Sequence, residues 1–106
     1  MKRYTLDGFT KGWVVGDFAP SLFINPHVEV AVKKFSKGQV EASHKQLIAT
    51  EITIVVSGQI MLGNQVFVED DVIEIPPQEF AGFEALSDCA LVCIKFPSLS
   101  NDKIEE

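Results

Sequence analysis

His44, Gln46 and Glu51 are the side chains of this 106-residue sequence best placed to do chemistry together. An imidazole titrates near neutral pH and can take or give a proton, and a neighbouring carboxylate can set its orientation or balance its charge. In an extended strand a spacing of two puts His44 and Gln46 on one face, so both can enter a cavity. Glu51 begins an otherwise apolar run, where a carboxylate is costly to bury without a partner. The plainer alternatives are a surface histidine between Ser43 and Lys45 and a Glu51 at the strand mouth in water. Lys33 and Lys95 read as solvated strand faces, His27 as a surface loop residue, and Trp13, Phe18 and Phe23 as core or dimer surface.

The elements that must position these residues are short β-type runs cut by turn residues. Trp13 to Phe18 ends at Ala19-Pro20, and Ser21 to Ile24 ends at Asn25-Pro26. In Val28 to Phe35 the residues Val28, Val30 and Val32 face one way and Glu29, Ala31 and Lys33 the other, the alternation of a half-buried strand. Glu51 to Val56, Gln59 to Leu62 and Gln65 to Val68 follow, joined at Ser57-Gly58 and Gly63-Asn64. Val72 to Ile75, Phe80 to Leu86 and Ala90 to Phe96 complete the series, and Asn101 to Glu106 reads as a polar tail. Many short strands without a strong helix imply a sandwich or closed barrel. Between Ser36 and Glu51 a helix stays open, because Val40, His44, Leu47, Ile48 and Glu51 also fall near helical spacing. On a helix Gln46 would leave the face shared by His44 and Glu51.

Gly38, His44, Gln46, Glu51 and Gly58 resemble the first cupin motif, Gly-x5-His-x-His-x(3,4)-Glu-x6-Gly, with Gln46 in the place of the second histidine. The second motif, Gly-x5-Pro-x-Gly-x2-His-x3-Asn, is matched only by Pro76 within Asp70 to Ala85. Asp70 and Gln78 stand for its glycines, Ala81 for its histidine and Ala85 for its asparagine. The resemblance implies an all-β, jelly-roll-like double-stranded β-helix, often dimeric, with divalent-metal ligands pointing into the cavity. Carried over residue by residue, it retains His44 and Glu51, substitutes Gln46, and leaves Ala81 without a donor. A metal with an open reaction position needs about three good protein ligands, and a neutral amide is a poor one.

The length fits one domain, residues 1–106, and a composition 46% hydrophobic supplies enough apolar material for a core. A net charge of −6 without a basic cluster argues against nucleic acid and anionic membranes as partners. Neither a signal-type segment nor an apolar run of spanning length is present. Cys89 and Cys93, in or beside one expected strand, lie about 13 Å apart, too far for a disulfide, and read as buried thiols consistent with a reducing cytoplasm.

The leading expectation is a protein that binds a small polar ligand, such as a carbohydrate, against His44, Gln46 and Glu51. If it is an enzyme, His44 serves as general base and Glu51 orients it, as in a metal-free isomerase or epimerase. Two alternatives stand beside it: a metal-dependent isomerase or dioxygenase with His44, Gln46 and Glu51 as ligands, and a non-catalytic ligand sensor or structural homodimer.

Overall fold

Turn residues cut the chain into ten strands in the computed structural model, which describes residues Met1–Glu106. They are β1 (Trp13–Val15), β2 (Glu29–Phe35), β3 (Val40–Gln46), β4 (Thr50–Ser57), β5 (Gln59–Leu62), β6 (Gln65–Val68), β7 (Val72–Ile75), β8 (Ala81–Ala85), β9 (Cys89–Phe96) and β10 (Lys103–Glu105). One sheet has the order β1-β2-β9-β4-β7, the other β10-β3-β8-β5-β6, and every strand pairing is antiparallel. From β2 onward the chain crosses repeatedly between the sheets, which winds them into a double-stranded β-helix. No helix is long and apolar enough to cross a membrane.

The inner faces of both sheets supply one core. Val55, Leu91 and Cys93 from the first sheet meet Ile60, Phe83 and Ala85 from the second. Val55 and Ile60 are wholly buried, each contributing about 1.5–3 kcal/mol of transfer free energy. Phe35 and Phe83 join the sheets, their ring centroids 4.5 Å apart.

Local signals alone misplace several features. The Ser36 to Glu51 segment is extended, because β3 finds partners in β8 and β10 that outweigh its helical spacing. Ser21 to Ile24 forms no strand; Ile24 makes only an isolated bridge to Gly16, and Trp13 to Phe18 is a strand only as far as Val15. In β2 the small Ala31 turns inward with Glu29, Lys33 and Phe35 and is the one of the four that is fully buried, while Val30 and Val32 lie half-buried on the outer face. Alternation reports that two faces differ without saying which is inside, and here the outer face is itself apolar.

The expected polar tail is instead β10, hydrogen-bonded along β3 with Lys103 opposite Gln46 and Glu105 opposite His44. Asp102 anchors it. This buried carboxylate accepts the Ile48 and Ala49 amides at 3.0 and 2.9 Å, closing the β3–β4 turn that carries the candidate site.

Candidate functional site

His44, Gln46 and Glu51 line one narrow cavity of about 60 Å³ between the sheets, and Ala81 lines it too, opposite His44 in the β3–β8 register. The position that lacks the fourth ligand is therefore the one the motif comparison indicates. Gln46 is buried, and its backbone carbonyl accepts the Gln78 amide at 2.8 Å. The His44 Nδ1 lies 3.0 Å from the Ala42 carbonyl oxygen. A carbonyl only accepts, so Nδ1 carries the hydrogen, and in the neutral ring Nε2 is left as the basic nitrogen.

The backbone of β3 explains how these groups reach the cavity. Glu41 pairs with Phe83 and His44 with Ala81, so Ala42 and Ser43 bulge opposite Gly82. The extra residue shifts the alternation by one, bringing the odd-numbered Glu41 onto the same inner face as His44 and Gln46. Gly58 fixes the far end of β4. Its φ is +84°, and a Cβ there would lie 2.3 Å from the Asp88 carbonyl oxygen, so only glycine fits.

Across the first sheet, Glu29, Lys95 and Glu51 stand side by side in register on β2, β9 and β4. The Lys95 Nζ lies 3.9 Å from a carboxylate oxygen of each. The Thr53 hydroxyl donates to the second oxygen of Glu51 at 3.1 Å, and Ser98 donates to Glu29 at 2.9 Å. Deeper along β2, Lys33 reaches to 3.9 Å from Glu41. The Trp13 indole underlies both lysines, with Nζ to ring-centroid distances of 5.3 Å for Lys33 and 5.1 Å for Lys95. Phe18 packs edge-on against Trp13, whereas Phe23 is exposed. Lys33 and Lys95 are thus site residues rather than solvated face. Neither carries a local signal for it, since lysine defaults outward and only the strand register reveals its direction.

Cys93, on the level between the two lysines, is a buried thiol pushed up to about 11, first by burial and then by the Glu51 carboxylate. Burial likewise raises Cys89. Both are free thiols, and at neutral pH Cys93 stays protonated and packs as a small apolar group.

These residues do not fit a divalent metal. No three His, Cys, Asp or Glu side chains converge on one point. Glu51 is already engaged by Thr53 and Lys95, the His44 Nδ1 by Ala42, and the remaining positions offer an amide and a methyl group. An ammonium 3.9 Å from the carboxylate also repels a second cation.

The sequence matches no family model and no curated protein. Solved structures do match. An uncharacterized conserved protein with a double-stranded β-helix domain from Klebsiella pneumoniae subsp. pneumoniae MGH 78578 superposes with a TM-score of 0.70 at 19% identity, over 76% of this chain and 71% of that one. KdgF from Halomonas sp. gives 0.64 at 22% identity over 71% and 74%. The bacterial pirin YhhW from Escherichia coli, solved in complex with nickel(II), gives 0.69 at 16% identity over 83% of this chain and 39% of its own. The chain thus has the double-stranded β-helix fold of the cupins.

Proposed function

We propose that this cupin-type protein binds a small polar molecule between its sheets, held by His44, Gln46 and Glu51. The observation that carries this reading is the convergence of these three groups, from a motif legible in the sequence, on one cavity. A volume of 60 Å³ equals only a handful of waters, so the ligand inserts one polar end and leaves the remainder at the mouth.

If the protein is an enzyme, the His44 Nε2 is its base, and the Ala42 carbonyl holds the ring in that tautomer. A thermal-shift screen of sugars and small polar metabolites tests the binding reading. A ligand that stabilises the wild type and loses its effect in His44→Ala and Gln46→Ala supports it; no stabilisation by any compound rejects it. For catalysis, His44→Ala should abolish turnover with the fold intact, and retained turnover excludes the role.

We also propose a homodimer. The outer face of β2, β9 and β4 presents Val30, Val32, Val92, Ile94, Ile52 and Ile54, an apolar surface of the kind that an isologous partner covers. Light scattering should give twice the chain mass, reduced to one by Ile54→Glu; a monomeric wild type removes this part.

A further inference from the structure

We infer that Lys33 and Lys95 form a built-in cationic receptor that binds the carboxylate end of a small organic acid without a divalent ion. The inference rests on the binding reading above and names its ligand class.

The two ammonium groups are enclosed, and each is held only by long ion pairs. Their side chains are only 21% and 13% exposed. The nearest carboxylate oxygens lie 3.9 Å away, about 1 Å beyond the length of a charge-assisted hydrogen bond. Neither ammonium group donates a close hydrogen bond to these carboxylates, which leaves N–H donors for a ligand at the cavity. The carboxylates are better provided for, since Glu51 and Glu29 each accept a hydroxyl. A ligand carboxylate would supply the close, charged acceptor that the long ion pairs do not, and it is small enough for so narrow a space.

Position and charge agree with this. Both ammonium groups lie over the Trp13 ring, a cation–π contact that favours their charged form at this place. In a chain with nine basic and fifteen acidic residues, four lysines but only three glutamates line the cavity. Two of those lysines, Lys45 and Lys103, stand outside any ion pair; Lys45 lies 4.9 Å above the Phe80 ring. Glu29, the second partner of Lys95, lies outside the lining. A singly charged carboxylate suits this near balance, whereas a phosphate dianion meets the glutamates with twice the repulsion. The ammonium pair thus supplies at the cavity the positive charge that a bound metal supplies elsewhere, which accounts for a donor set that cannot hold one.

The experiment is calorimetric titration of the full chain in EDTA with acetate, glycolate and pyruvate, against acetamide, glycerol and inorganic phosphate. The acids should bind and the uncharged compounds should not. Lys95→Gln and Lys33→Gln should each weaken binding about tenfold or more, with Lys37→Gln as an exposed control without effect. Lys95→Arg retains the charge and should keep part of the affinity if Lys95→Gln misfolds. Binding that requires an added divalent ion, a preference for phosphate, or affinity unchanged in both Gln variants overturns the inference. Binding of uncharged compounds alone overturns it while sparing the broader reading, and no binding of any probe ends both.

Discussion

Two arcs of chain wall the cavity, and they differ in what they conserve of the motif pattern. The arc from Gly38 to Gly58 holds both the chemistry and the backbone: His44 and Glu51 point inward, and both glycines sit at positive φ, 91° and 84°. The arc from Asp70 to Ala85 holds the backbone alone. Asp70 and Gln78 stand where the pattern has glycine, and they keep the left-handed conformation, φ 76° and 74°. Ala81 reaches the cavity with nothing to donate. The shape of a barrel corner and the chemistry of its wall are therefore separable, and a motif that looks lost by residue type is still present as geometry.

The largest expected effect breaks the first arc at its tightest point. Gly58→Ala forces a Cβ to 2.3 Å from the Asp88 carbonyl and 2.7 Å from the Cys89 Cβ, and should cost about 3 kcal/mol or more in urea denaturation. Gly38→Ala meets nothing within 4 Å and should cost only about 1 kcal/mol for its positive φ. Equal costs would show that close approach, as distinct from backbone conformation, does not govern Gly58.

Next in size is the buried brace of the same arc. Asp102→Ala orphans the Ile48 and Ala49 amides and should lose about 2–3 kcal/mol, with β10 detaching first in hydrogen exchange. Unchanged protection in β3 would mean that the C-terminal strand does not hold the site.

A third test uses pH. The Cys93 thiol is raised from 9.0 to about 11 in the folded chain, so the unfolded chain loses its proton first as pH rises. Stability from this group is full below about pH 9 and falls by about 2–3 kcal/mol toward pH 11. Cys93→Ala should flatten that slope, and an unaltered slope would place Cys93 in contact with water.

The smallest effect belongs to the second arc. The Asp70 side chain makes no hydrogen bond within the chain, so Asp70→Gly relieves its backbone and should raise stability by up to about 1 kcal/mol. Gln78→Gly gains the same relief but gives up the Nε2 hydrogen bond to the Leu47 carbonyl at 2.9 Å, and should come out near neutral. A loss of stability in Asp70→Gly would deny that this corner is a displaced glycine position.

Strands bounded by tight turns were readable from local chemistry: Gln59–Leu62, Gln65–Val68 and Val72–Ile75 fall where their flanking turn residues put them. The motif spacing likewise brought His44, Gln46 and Glu51 to one cavity. What remained hidden depends on partners distant in sequence. β10 is a three-residue strand with one apolar side chain, visible only through its pairing with β3. Glu41 enters the site through a bulge that shifts the alternation, and Lys33 and Lys95 enter because their strands pack with that parity against β4 and β1.

Charged and polar side chains face inward between the sheets, and amine labelling reads this directly. With acetic anhydride at trace concentration and mass-spectrometric mapping, Lys33 and Lys95 should react many times more slowly than the exposed Lys37, and as fast once the chain is denatured. Native-state labelling of Lys33 and Lys95 at the rate of Lys37 would contradict it.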